Sequence, residues 1–221
     1  MFFSAIIVAG GKGKRFGTKE PKQFLSLAKK KMFVWSILAF KKVKECRQII
    51  LVVPEYKLPE MEKYKKLYNI DVVPGGKERY DSVKNGLKCV KENIDFVAVH
   101  DAARPLVTSE PIKEVFSSAV KYGGAIAASP AKDSIKFSKD GKFISNSIDR
   151  KNIWQAQTPQ IFKIDLLKRV YSKKISKNVT DDAQLMEKIK SKVALVDCGY
   201  ENFKVTQKID FKLAELILQR R

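Results

Sequence analysis

The sequence predicts an α/β fold: a mostly parallel, twisted sheet with helices on both faces and a protruding β-hairpin. Three observations carry this. Apolar, β-branched runs alternate with segments of helical spacing. The segments AGGKGKRFG, PGGKER, HDAARP and SPAKDS each follow one of those runs directly. One stretch, 134–148, breaks the rhythm with two short alternating runs around Asp140-Gly141, a strong hairpin-turn pair. Strands joined by helical crossovers form a parallel sheet covered on both faces. In such sheets ligands bind outside the carboxyl ends of the strands, so the four segments should converge on one site.

In chain order, the first strand spans 3–9 and helical spacing covers 32–44. A strand over 48–53 precedes a helix over 58–68, a short strand over 71–73 and a helix over 79–91. The apolar run 96–100 is a strand. Ser109 reads as the N-cap of a helix to about residue 121, with Pro111 in its first turn. Gly123-Gly124 ends it, and 125–129 is the next strand. After the hairpin come Trp154, a QTPQ turn and a helix over 164–173. Thr180 reads as an N-cap followed by acidic residues. Strands over 193–196 and 203–206 precede a closing helix over 210–219. A lone hairpin is marginal in water, so 134–148 should pack on a second subunit or fold onto its own domain. No repeat, low-complexity tract or linker divides the chain, which reads as a single domain over 1–221.

Bulk composition narrows the class. The 221 residues are 44% hydrophobic and 31% charged, a globular balance. The apolar start runs only about nine residues, too short for a bilayer. It lacks the basic start and small-residue cleavage site of a signal peptide, so the expectation is a cytoplasmic protein with no membrane partner. Cys46, Cys89 and Cys198 form no CxxC pair, and the chain has one histidine. That argues against zinc and for reduced thiols lying mostly in the core. The net charge of +20 comes largely from lysines scattered along helices, with no arginine block. The aromatics fall mostly at periodic core positions. No nucleic-acid partner is expected, and a basic nucleic-acid-binding module stands as a distant alternative. Attraction of a polyanionic substrate suits the charge.

AGGKGKRFG, residues 9–17, fits neither of two familiar phosphate loops. A Walker loop needs Gly-Lys followed by Ser or Thr, and no glycine here supplies it. A dinucleotide fingerprint starting at Gly11 and Gly13 places its third glycine at Phe16, and Gly17 is one residue late. What remains is a loop whose glycines let backbone N–H groups approach an anion. Arg15 closes it, and Lys22 follows at PKQ. One arginine and one lysine at fixed places can bracket a triphosphate and neutralise charge building on departing pyrophosphate. Lys12, Lys14 and Lys19 read as surface charge. Asp101, at a strand end in HDAARP, is placed to hold Mg²⁺ against phosphate oxygens. Arg104 can contact a phosphate monoester in bidentate fashion. His100 reads as a packed, hydrogen-bonded side chain.

Together these residues resemble the 2-C-methyl-D-erythritol 4-phosphate cytidylyltransferases of the non-mevalonate isoprenoid pathway. The motifs are AGGKGKRFG, PKQFL, GGKERYDSVKNGL, VHDAARP, SPAKDSIK, IDRKNIWQAQTPQIF, NVTDDAQLME and NFKVTQKIDFKLAE, and they span essentially the whole chain. The resemblance implies a Rossmann-like three-layer nucleotidyltransferase fold. It implies transfer of CMP from CTP to the methylerythritol phosphate, with Mg²⁺, by direct attack on the α-phosphorus. By motif, Arg15 and Lys22 match the transition-state pair, and Arg150 and Lys204 match the residues that position the polyol phosphate. Asp101 matches the aspartate near metal and substrate. Arg104, Ser134, Thr158 and Thr180 match polar contacts around that substrate. Ala9, Gly10, Gly11, Gly13, Lys22 and Asp101 fall to CTP, with Gly75, Gly76 and Ser82 at its cytidine. The hairpin matches the family's dimer arm, so a homodimer is implied.

Two positions depart from the common A-A-G-x-G-x-R-M pattern: Gly10 makes the loop more permissive, and Phe16 changes only packing. Ser134 stands where threonine is common and keeps the hydroxyl. The same chemistry on ribitol 5-phosphate is the close alternative. AARP, and IDRKNIW combined with TDDA, favour methylerythritol.

Overall fold

The computed structural model describes residues 1–11, 16–18, 20–173 and 179–221. The chain runs β1 (Phe3–Val8), a short pair β2 (Ser26–Leu27) and β3 (Lys30–Lys31), α1 (Met32–Lys41), β4 (Cys46–Val53), α2 (Leu58–Tyr68) and β5 (Asp71–Pro74). It continues through α3 (Arg79–Leu87), β6 (Phe96–Asp101), α4 (Ser109–Tyr122), β7 (Gly124–Pro130), β8 (Ile135–Phe137) and β9 (Asn146–Ile148). β10 (Trp154–Lys163), α5 (Ile164–Tyr171), α6 (Ala183–Glu187), β11 (Ala194–Asp197) and α7 (Lys208–Gln219) complete it. Seven strands form one sheet in the order β11-β7-β10-β6-β1-β4-β5.

β1 shows why the sheet has a layer on each side. It is buried on both faces, and its side chains alternate between two cores. Phe3, Ala5 and Ile7 join Phe33, Phe40, Val115 and Phe116 of α1 and α4. Ile6 turns the other way and joins Val83 and Leu87 of α3 and Leu167 of α5. Truncating Ile6 to alanine would open a cavity costing about 2–5 kcal/mol. A third cluster beyond the strand ends packs Phe16, Met32 and Leu106 against Ala214 and Leu218 of α7.

β10 is the main departure from the sequence reading, which places a QTPQ turn there. It is a ten-residue strand, antiparallel to both β6 and β7. Its ladder to β7 jumps from Ala156 opposite Ala128 to Gln160 opposite Ile126. Three residues of β10 therefore oppose one of β7, and Pro159 sits in that bulge, where its missing N–H costs no ladder bond. Gln157, Thr158 and Gln160 are buried polar residues, so the strand lacks the apolar run that marks the others.

Smaller differences have local causes. Residues 203–206 form no strand; Val205 N–H makes a single bond to the Ala103 carbonyl at 2.8 Å. The N-cap of α4 is Thr108, and the Ser109 hydroxyl bonds the Glu110 carboxylate instead. α6 begins after Asp182 rather than Thr180, and the Asp181 carboxylate accepts from Gln184 N–H. The cysteines are free; Cys46 and Cys198 are part-buried against the first core cluster, whereas Cys89 is exposed. No helix among the described residues is long and apolar enough to cross a membrane.

The hairpin forms as expected, β8 pairing antiparallel with β9. Asp140 organises its tip: one carboxylate oxygen accepts from the Lys142 and Phe143 N–H groups and the Ser138 hydroxyl. Gly141 takes a left-handed φ of 75° in the same turn. Every residue from Lys139 to Asn152 is exposed, including Phe143 and Ile144, so the hairpin does not fold onto its own domain.

Candidate active site

Register gathers the four loop segments at one edge of the sheet. Val8, the last residue of β1, lies opposite both Val52 and Asp101. Val53 of β4 lies opposite Pro74 of β5. β7 and β6 both run antiparallel to β10, so Pro130 ends at that edge too.

On one side sits the glycine loop. Ala9 continues the ladder through its N–H to the Val52 carbonyl, and Gly75 bonds Val53 likewise. A methyl group at Gly10 or Gly75 would lie 3.1 Å from the Ser82 hydroxyl oxygen. At Gly76 it would come within 2.1 Å of Asp81 Cβ, so only glycine fits that turn. Ser82 accepts from Gly76 N–H at 3.1 Å and donates to the Glu78 carbonyl. Of the predicted nucleotide contacts, Gly10, Gly75 and Gly76 thus gather around the buried Ser82, with Ala9 and Gly11 on either side of Gly10. Lys22 is buried in the turn Lys22–Phe24. Arg15 and Gly13 lie outside the described residues.

On the other side lies Asp101. Lys204 Nζ donates to its Oδ2 at 2.6 Å, and Arg79 Nε approaches its Oδ1 at 3.4 Å. Burial alone would push the Asp101 carboxyl up, but Arg79, Lys204 and Arg104 outweigh it and hold the group well below the usual carboxylate range. Arg79 reaches on to Asp182, which has no exposed surface, at 2.7 Å; Tyr171 donates its hydroxyl to the same carboxylate. Burial would lower the Arg79 pKa, yet Asp182 and Asp101 more than offset it and raise it. Removing one partner of such a pair costs about 3–5 kcal/mol.

Thr158 joins this side through His100. The His100 Nε2 faces the Arg104 carbonyl at 3.2 Å, which can only accept, so that nitrogen carries the proton. Nδ1 then accepts from the Thr158 hydroxyl at 3.1 Å, and the Thr158 oxygen accepts from Asp101 N–H. Burial drives the His100 pKa down to about 4, which keeps the ring neutral. His100 is the packed, hydrogen-bonded residue expected. Arg104 is buried too; its guanidinium donates to the Asn202 carbonyl at 2.8 Å and the Ala156 carbonyl at 3.4 Å. It braces the Asp101 segment against β10.

Ser134, Arg150 and Thr180 make no bond to either group in what is described. Arg150 is exposed at the base of the hairpin and donates to the Lys132 carbonyl. Ser134 is exposed beside it, and Thr180 is exposed ahead of α6. Among the described residues no three His, Cys, Asp or Glu side chains gather as for a metal.

Sequence reasoning missed Arg79, Asp182 and Gln23. The first two lie inside the quoted GGKER and TDDA segments, where a charge that the fold buries looks like any surface charge.

The family model described as IspD, 2-C-methyl-D-erythritol 4-phosphate cytidylyltransferase, matches residues 3–220. A protein of that name from Endomicrobium trichonymphae is 48% identical, over 98% of both chains. One from Lachnospira eligens is 38% identical over 98% of this chain and 99% of its own. The crystal structure of 4-diphosphocytidyl-2C-methyl-D-erythritol synthase from Anaerococcus prevotii superimposes with a TM-score of 0.85 at 29% identity, covering 99% of each chain. With this sheet, this edge and these relatives, the chain belongs to the 2-C-methyl-D-erythritol 4-phosphate cytidylyltransferase family.

Proposed function

We propose that the chain transfers CMP from CTP to 2-C-methyl-D-erythritol 4-phosphate in isoprenoid precursor synthesis. An oxygen of the polyol phosphate attacks the α-phosphorus of CTP. A new P–O–P link forms as the bond to pyrophosphate breaks, giving 4-diphosphocytidyl-2-C-methyl-D-erythritol. The observation that carries this reading is the register of Val8 with Asp101, which sets a glycine loop beside a cation-braced carboxylate.

In this reading the loop of Ala9, Gly10, Gly11 and Gly13 wraps the triphosphate, with the Ala9 N–H held in the sheet ladder and the N–H groups of the glycines turned to the phosphates. Arg15 and Lys22 neutralise charge on the α-phosphate and the leaving pyrophosphate. Gly75, Gly76 and Ser82 face the cytidine. Lys204, with Arg150, Arg104, Ser134, Thr158 and Thr180, holds the polyol phosphate. Asp101 is ionised, and its two oxygens offer about four acceptor positions against two cation contacts, so it fits one contact to Mg²⁺ with phosphates supplying the rest. Bound there, Mg²⁺ would offset triphosphate charge.

The same reading takes 1–221 as a single domain acting in the cytoplasm, without nucleic acid or membrane. It pairs two chains through the exposed hairpin, whose Phe143 and Ile144 would otherwise face water. Pyrophosphate release from CTP is the test, with methylerythritol phosphate and ribitol 5-phosphate as acceptors. Turnover with the first supports the proposal; turnover only with the second replaces it with the ribitol reading.

A further inference from the structure

The turn after PKQ holds a buried amide whose donor capacity is spent on the glycine loop. Gln23 is 4% exposed, and its Nε2 lies 2.7 Å from both the Ala9 and the Gly11 carbonyl oxygens. A primary amide has two N–H donors, so both are used. The turn that carries it is fixed: Phe24 N–H bonds the Pro21 carbonyl, Leu25 N–H bonds the Lys22 carbonyl, and the fully buried Phe24 ring packs against Phe33. Gly10, between the two bonded carbonyls, passes against Ser82.

We propose that Gln23 is a positioning residue for the nucleotide, drawing the Ala9 and Gly11 carbonyls onto itself so that neither turns toward the phosphates. A peptide carbonyl turned toward a phosphate oxygen repels it, and an anion site made of backbone works only when its carbonyls point elsewhere. Gln23 enforces that orientation by two short bonds. It also ties the loop to the residue next to Lys22, so both halves of the triphosphate grip move as one piece. The bonds hold the loop and not the core, because Phe24 anchors the turn independently.

The inference rests on the cytidylyltransferase reading, and wild-type turnover separates the two. If the wild-type enzyme releases no pyrophosphate from CTP, that reading fails. If it does, Gln23→Met and Gln23→Glu test the inference. Both side chains match glutamine in length and neither supplies the two donors; the second also sets a carboxylate against two carbonyls. The expected result is a folded protein by circular dichroism with kcat/KM for CTP lowered roughly tenfold in Gln23→Met and further in Gln23→Glu. KM for the polyol phosphate stays within about twofold, and inhibition by pyrophosphate weakens in parallel with CTP. Unchanged CTP and pyrophosphate constants would overturn the inference. So would equal losses toward both substrates, or variants that fail to fold, since either would assign Gln23 to the core.

Discussion

Lys204 Nζ and Asp101 Oδ2 stand 2.6 Å apart although 103 residues separate them in the chain. The bonds from Val205 N–H to the Ala103 carbonyl and from the Arg104 guanidinium to the Asn202 carbonyl bring the two segments together. Lys204 keeps 39% of its side chain exposed, so the pair contributes little to stability while leaving a cation at the mouth of the site. Lys204→Met should lower the melting temperature modestly, because Arg79 still faces the buried Asp101 carboxylate. It should lower kcat/KM for the polyol phosphate about 100-fold, the scale for losing one preorganised charge-stabilising donor. A variant with wild-type kinetics would remove Lys204 from the site.

His100, the one histidine of the chain, gives stability a pH signature. Its folded pKa is depressed by burial from 6.5 to about 4. The unfolded chain therefore binds the proton first as pH falls. The stabilisation is fully present above 6.5 and lost on the way down to about 4. Denaturant titrations should show a loss of about 2 kcal/mol between roughly pH 7 and 5, where no ordinary carboxylate titrates. In His100→Gln that slope should flatten, and an unchanged slope would assign the effect elsewhere.

Two glycines near the nucleotide surface should respond oppositely to a methyl group. Gly76→Ala drives Cβ to 2.1 Å from Asp81 Cβ, whereas nothing lies within 4 Å of a Cβ at Gly11. The first should destabilise by about 1–3 kcal/mol and raise KM for CTP. Gly11→Ala should fold normally. Thermal scans of the two variants check the contrast, which fails if they melt together.

The hairpin exposes Phe143 at 75% and Ile144 at 68%, unusual for apolar side chains at a loop tip. If the hairpin pairs two chains as proposed, the wild-type protein should sediment as a dimer and the variant with both replaced by serine as a monomer. A dimer that persists would place the interface elsewhere.

The parallel part of the fold is legible because strands such as β4 and β6 are buried on both faces and so must be continuously apolar. β10 is not legible. Its Gln157, Thr158 and Gln160 are polar, and each has its partners on segments remote in sequence: Gly199, His100 and Asp181. Site residues on strand ends and glycine turns, such as Asp101 and Gly76, announce themselves through local pattern. Arg79 and Asp182 do not, because their significance is that they meet, and they stand 103 positions apart in the chain. Gln23 escapes for the same reason: nothing local says that its amide reaches back to Ala9 and Gly11.

The hairpin leaves the sheet from β7 and returns as β10, and these strands are neighbours: Pro130 lies opposite Trp154, and Ala131 N–H bonds the Ile153 carbonyl. Both ends of the excursion are therefore held one rung apart by the sheet itself, whatever lies between. Its length can change at small entropic cost, about 0.6 kcal/mol per doubling of a flexible segment. The length of the hairpin proper, between Ser134 and Arg150, can thus change without shifting the rungs that carry it. The strands beneath, and the Asp101 edge they support, stay in register whatever the tip of the excursion does.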